Sequence, residues 1–141
     1  MAAFIKFGGF VGHLGLKIHD LNADTLKLYL SNTAPNTSTH VLKGDLAEIG
    51  AGNGYVAGGE DTQNTYVTSG GVGTCTGLDI VWTAAGGTIG PFRYPVLYNS
   101  TPTSGNLIGF WDYGSNLTLQ AGEKFTVDID PGVSSRMFTV A

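Results

Sequence analysis

The chain has 141 residues, so we expect a single domain that buries a core without disulfide staples. Charged residues make up only 13% of it and glycine occupies 22 positions, which favours a β protein with tight turns and a weakly charged polar surface. The net charge of −4 and the lack of a basic stripe in the sequence exclude a nucleic-acid backbone as the partner.

Residues 1–22 are apolar and rich in glycine, without a regular period. Lys6 interrupts the apolar run and no clear cleavage site follows, so we expect neither a signal peptide nor a membrane span, and we expect the chain to stay in a cytosol. Phe4, Phe7 and Phe10 are unfavourable in water, but the glycines between and beyond them make the segment costly to order. We predict an N-terminal arm that either orders on a partner or folds back on its own domain.

From residue 23 onward the sequence consists of short strand-like runs. Residues 26–30 alternate leucine with Lys and Tyr, which predicts a strand with one buried face and one solvent-facing side. Asp45 and Glu48 predict a single short helical piece. Residues 50–77 are rich in glycine turns, so we expect a long loop there with a short strand at 65–68.

Strand signals follow one another closely after residue 77. Leu78, Ile80 and Trp82 are expected to point to one face. Pro95 predicts that the run over 92–98 is an edge strand, and the run over 106–113 is expected to be covered on both faces. Roughly seven or eight strands at a spacing of about 8–12 residues are typical of a sandwich. We therefore predict an all-β, jelly-roll-like β-sandwich over residues 23–141, with at most one short helix.

No set of residues in the sequence has the pattern of a catalytic or metal site. Cys75 has no histidine near it in the sequence, so we expect a buried structural thiol. His13, His19 and His40 lie at no metal-ligand spacing, and neither a nucleophile elbow nor a phosphate loop occurs. We predict a protein that is not an enzyme, with no catalytic residues, no cofactor and no metal.

Residues 90–114 hold six aromatic residues but only two charged ones, Arg93 and Asp112. Strand alternation turns about half of these rings inward in any arrangement. The others admit two interpretations: Tyr94 and Trp111 stack on sugar rings, or they lie at the core and at subunit contacts, where Tyr, Trp and Arg are enriched. The alternation favours the second interpretation.

One segment, LKLYLSNTAPNTSTHVLKGDLAEIGAGNGYVAGGED, resembles a segment that recurs in small virion proteins of tailed bacteriophages. The shared order is a short strand, a proline turn, Thr-His, a short acidic helical piece, Gly-Tyr and Ala-Gly-Gly. In this chain those features are Pro35, Thr39–His40, Asp45–Glu48, Gly54–Tyr55 and Ala57–Gly59. The runs DIVWTAAGGTIGPFRYPVLYN and LIGFWDYGSNLTLQAGEKFTVDI are similar to the strand–turn–strand run of the same family.

Within these virion proteins the chain resembles the capsid cement, or decoration, proteins, over about residues 26–130. The resemblance implies a jelly-roll protein on the outer surface of the virion capsid, made in the host bacterial cytoplasm, that bridges neighbouring subunits of the major capsid protein. It implies no active site. Copies that sit on two-fold joints would pair, so we expect a homo-oligomer and favour a dimer, with neither nucleic acid nor membrane as a partner.

The alternative function is a carbohydrate-binding tail or receptor-recognition module that uses the aromatic stretch. For the capsid function, six residues are the candidate contacts to the capsid or to a second subunit: Phe4, Phe7, Phe10, Arg93, Tyr94 and Trp111.

Overall fold

A computed structural model describes residues 3–129 and 136–141 of the chain. Within these residues the predicted all-β sandwich with one short α-helix is confirmed. In chain order the elements are β1 (Phe4–Lys6), α1 (Gly9–Gly15), β2 (Leu26–Ser31), a 3₁₀ turn (Lys43–Asp45), β3 (Glu60–Asp61), β4 (Thr65–Ser69), β5 (Val72–Thr76), β6 (Ile80–Thr83), β7 (Ile89–Phe92), β8 (Tyr94–Asn99), β9 (Leu107–Trp111), β10 (Leu117–Leu119), β11 (Lys124–Val127) and β12 (Arg136–Val140).

The largest sheet has five antiparallel strands in the order β1-β9-β8-β2-β3. A three-stranded sheet, β12-β5-β4, and the two pairs β11–β6 and β10–β7 share a core with it. In β2 the alternation sends Leu28 into this shared core and Tyr29 to the other side of the sheet, but Tyr29 is also buried, so the predicted solvent-facing side is wrong. The alternation in β6 turns Ile80 and Trp82 inward, whereas Leu78, which precedes the strand, is 50% exposed, contrary to the prediction.

The five-stranded sheet is covered on both faces. One face packs against the strands of the opposite layer, and the other lies under Phe7 and Leu46, which cover Tyr29, Val96 and Phe110. Every residue of β8 and β9 is buried as a result. The expectation that the run containing β9 is covered on both faces is therefore confirmed.

Pro95 does not lie in an edge strand, contrary to the prediction, because β8 runs between β9 and β2. Its partner in β2 is Leu30. The Leu30 N–H donates to the Tyr55 hydroxyl at 3.0 Å, and the Leu30 carbonyl accepts from the Ile49 N–H at 3.0 Å. Both backbone groups of Leu30 thus point away from β8, so this is a pair without mutual hydrogen bonds. The missing N–H of proline therefore removes no bond to β2.

The N-terminal segment packs on the sandwich, which is the second of its two interpretations. β1 extends the five-stranded sheet by pairing with β9, with Phe4 opposite Trp111. Phe7 lies in the core on one face of that sheet, and Phe10 lies in the core on the other face. The segment thus wraps the edge of the sheet, and the boundary drawn at residue 22 falls inside one packed unit.

The short helical piece expected at Asp45 and Glu48 is the 3₁₀ turn, which ends at Asp45. Glu48 follows it and accepts three hydrogen bonds, from Lys43 Nζ at 2.8 Å and from the Tyr55 hydroxyl and the Gly58 N–H at 2.7 Å each. Hydrogen bonds to a charged acceptor contribute more than neutral ones. Glu48 therefore anchors the glycine-rich loop to the sheet.

Gly109 allows β1 to lie against β9. A Cβ at this position would overlap the Phe4 ring and would lie 2.7 Å from the Ile5 carbonyl oxygen. We expect Gly109→Ala to displace β1 and to lower the free energy of unfolding by about 1–3 kcal/mol, the usual range for overpacking. Chemical denaturation monitored by tryptophan fluorescence measures this change.

Gly12→Ala is the matched control. Gly12 lies within α1, and no atom would lie within 4 Å of its added Cβ. Alanine there should raise the free energy of unfolding by about 0.5–1 kcal/mol, because it favours the helix. If Gly109→Ala is as stable as the unmodified protein, β1 does not dock on β9 as described.

Candidate functional site

Three of the six candidate contact residues lie inside the molecule. Phe7, Phe10 and Trp111 are at most 3% exposed. The capsid function predicted that the arm presents its phenylalanines to another protein. Phe7 and Phe10 instead pack into the cores on the two faces of the sheet. Trp111 is buried because β1 covers the β9 edge. These three side chains have no surface to offer to a partner in this structure.

A fourth candidate, Tyr94, is also buried, whereas Arg93 and Phe4 are closer to the surface. The Arg93 guanidinium binds Asp112 through two hydrogen bonds, Nε to Oδ1 at 2.8 Å and a terminal nitrogen to Oδ2 at 3.1 Å. It also lies 5.3 Å from the centre of the Tyr94 ring, which is itself buried. Arg93, followed by the Gly114 N–H, holds the pKa of the Asp112 carboxyl below its usual range. Phe4 is half-buried. Arg93 and Asp112 thus offer a charge-balanced polar spot at the surface.

The aromatic stretch does not form an exposed platform. Tyr94, Tyr98 and Trp111 are buried, and Tyr113 is half-buried with its ring 5.0 Å from that of Phe125. Sugar stacking requires a ring face open to solvent. The carbohydrate-binding alternative therefore lacks the surface rings on which it was based.

The Cys75 thiol is fully buried, and burial raises its pKa to about 12. Almost none of the Cys75 thiol is therefore ionised at neutral pH. Because the thiolate is the nucleophilic form, Cys75 is a poor nucleophile in the folded protein. Within the residues that the structure describes, no three His, Cys, Asp or Glu side chains are grouped so as to hold a metal ion.

An exposed face lies on the outside of the β12-β5-β4 sheet, and its one charged residue is Arg136, which lies opposite Thr76 at one end. The register places Val67 beside Thr74 and Thr74 beside Thr139, so their side chains share one side of the sheet. Cys75 and Phe138 from the same strands point the other way, into the core. The outward residues, which we call the Val–Thr face, are Thr65, Val67, Ser69, Val72, Thr74, Thr76 and Thr139.

Two apolar side chains of the Val–Thr face are exposed. Val67 is 57% exposed and Val72 is 38% exposed, although both are apolar. The hydroxyls of Thr65 and Thr76 hydrogen-bond across the two strands, which orders that end of the face. Exposed apolar side chains set in a polar rim are typical of a surface that binds another protein.

Sequence reasoning located a strand near 65–68 but missed this face. The alternation in TYVTS and VGTCT indicates one polar or small outward side in each run. The third strand, β12, lies more than fifty residues further along the chain. Only the pairing register shows that the three outward sets form one surface.

No family model, no curated protein and no solved structure matches this chain significantly. Among the described residues, none of the helical segments is both long enough and apolar enough to cross a membrane.

Cys75 should resist modification while the protein is folded. We expect Ellman's reagent at pH 8 to react with it only as fast as the chain opens, because the thiol is buried and its pKa is raised. The absorbance of the released thionitrobenzoate measures the rate, and the same protein in guanidinium chloride should react at once and completely. Rapid full labelling without denaturant would show that Cys75 is accessible.

Proposed function

We propose that this chain is a non-enzymatic structural protein that binds the outside of an assembled phage capsid and bridges neighbouring major capsid protein subunits. The observation that carries the proposal is the Val–Thr face, an exposed surface with apolar valines and with one charged neighbour, Arg136, at its end, on a well-packed sandwich. The resemblance over about residues 26–130 suggests the partner. A protein that only binds and bridges needs such a surface and needs no reactive group.

The sandwich beneath the Val–Thr face is rigid, which suits a bridging protein. A sheet covered on both faces resists bending, because close-packed interiors transmit strain and are hard to compress. The loop that Glu48 anchors is attached to the same sheet. Each bound copy would therefore hold its neighbours at a set distance, and binding only to the assembled shell would stabilise that shell by mass action.

The Val–Thr face is small for a stable interface. Its strands β4, β5 and β12 are five residues each, which corresponds to roughly 16 by 14 Å at the usual strand rise and spacing. This area of roughly 220 Å² compares with about 800 Å² per partner in a standard stable complex. A single copy would bind weakly through this face alone, so durable attachment needs further contacts around a closed lattice.

Val67→Glu should weaken binding to capsids. A charge buried against a capsid subunit without a partner is costly, so we expect the affinity for purified heads that lack this protein to fall at least about tenfold. Val67 is exposed, so the fold should be unchanged. Co-sedimentation with the heads measures binding, and circular dichroism checks the fold.

Val56→Glu is the control, because Val56 is 62% exposed but lies in a loop outside the face. It should bind as the unmodified protein does. If Val67→Glu also binds normally, the Val–Thr face is not the contact. If the unmodified protein fails to bind heads, and immunogold labels no site on the virion head, the capsid function itself is wrong.

A further inference from the structure

Two histidine–asparagine pairs join the N-terminal segment to the connection between β8 and β9. The Nδ2 of Asn99 lies 3.1 Å from Nδ1 of His19, and the Nδ2 of Asn106 lies 3.3 Å from Nδ1 of His13. The Asn99 N–H also donates to the Asn106 carbonyl at 2.9 Å. Both imidazoles are therefore held by residues that one backbone hydrogen bond links.

The remaining hydrogen bonds of Asn99 determine which atom faces His19. Its Oδ1 accepts the Thr101 N–H at 3.1 Å, and its Nδ2 also donates to Oδ2 of Asp24 at 2.6 Å. An amide nitrogen only donates, so Nδ1 of His19 must be an unprotonated acceptor. His19 is thus neutral, with its proton on Nε2.

The second pair has the same arrangement. The Oδ1 of Asn106 accepts the Ser104 hydroxyl at 2.9 Å, which leaves its Nδ2 to donate to His13. Protonation of His13 or His19 would place a new N–H donor against an amide donor. The two imidazole centres are only 5.9 Å apart, so two positive charges there would also repel each other.

His19 is only 6% exposed, its ring lies 5.3 Å from that of Phe10, and its Nε2 has no hydrogen-bond partner. Burial, followed by the proximity of His13, lowers the pKa of His19 to about 4, although Asp24 acts in the opposite direction. The charged and titratable groups that face it are His13 from α1 and Asp24 from the turn before β2. Those that line the open cleft of about 500 Å³ beside it are Lys17, Asp20, Asp24 and Tyr66.

The helix that these pairs hold has little stability of its own. α1 has seven residues, including Gly9, Gly12 and Gly15, and Gly8 before it provides no side-chain cap. Glycine costs about 1 kcal/mol relative to alanine within a helix, and so short a helix does not persist alone in water. Its position therefore depends on tertiary contacts, chiefly the buried Phe10 and the two histidines.

We propose that the two histidine–asparagine pairs form a pH-sensitive latch, in which protonation of the histidines releases residues 9–22 while the sandwich beneath stays folded. The open cleft gives water a path to His19 once the segment loosens. Release restores the ordinary proton affinity of the imidazole, so acid favours the open form. The latch is closed above the ordinary histidine pKa and opens as the pH falls below it.

Amide hydrogen exchange followed by NMR, corrected for intrinsic rates, tests the latch on the full chain. The N–H groups of Leu16, Lys17 and Ile18 donate to backbone carbonyls within this segment and report on it directly. Between pH 7 and pH 4 their protection should fall about a hundredfold, the linkage expected for a single histidine of this kind. Amides of β8 and β9 should keep their protection.

The double variant His13→Asn/His19→Asn keeps an acceptor oxygen near each Nδ1 but cannot take up a proton, so it should show no acid-dependent opening. His40→Asn is the control, since His40 Nδ1 accepts the Asn36 N–H at 3.0 Å outside this cluster. It should open as the unmodified protein does. Opening of the double variant over the same pH range would overturn the latch.

Two further measurements on the unmodified protein test the latch even if the double variant does not fold. The imidazole C–H signals of His19 should titrate over the pH range in which the segment loses protection. Titration without that loss overturns the proposal. Loss of protection in β8 and β9 together with the segment also overturns it, because it would indicate global unfolding.

Discussion

The constraint on which the rest of the structure depends is a five-stranded sheet buried on both faces. A strand that is covered on both sides cannot place a polar side chain in water, so each one must find a partner within the protein. β8 and β9 meet this condition with apolar and aromatic side chains along most of their length. The sheet therefore needs cover on its second face, and Phe7 and Leu46 supply it from segments outside the sheet.

This need for cover explains the position of the N-terminal segment. Its phenylalanines are placed so that one enters each core and a third packs on the edge, which holds a glycine-rich chain that would otherwise be flexible. The phenylalanines of the segment are thus used in packing within the fold. What remains for recognition is the outer side of the opposite layer, where β-branched residues without charge stay exposed. The surface proposed to contact a capsid is therefore one that the internal packing does not bury.

The same burial makes the histidine cluster sensitive to acid. Asn99 and Asn106 lie at the ends of the two buried strands, and their side-chain nitrogens donate to partners from the N-terminal segment and its turn. A polar network in a dry site is stabilising when complete, and it fails when one member changes from acceptor to donor. Packing and the proposed pH response therefore have one origin, which is the burial of polar side chains at the end of the sheet.

The sequence by itself determined the class of fold and the inward side of several strands. Alternation around Leu28 and Ile80, and the apolar run of β9, report burial correctly because the side-chain period of a strand is a local property. Only the tertiary structure decided which strand is central. Pro95 fits in the central strand β8 because the backbone groups of its partner in β2, Leu30, point away from β8. The tertiary structure also decided the Val–Thr face and the contact between His19 and Asn99, which are 80 residues apart. Such surfaces and clusters arise from strand register, and no local pattern in the chain encodes the register of distant strands.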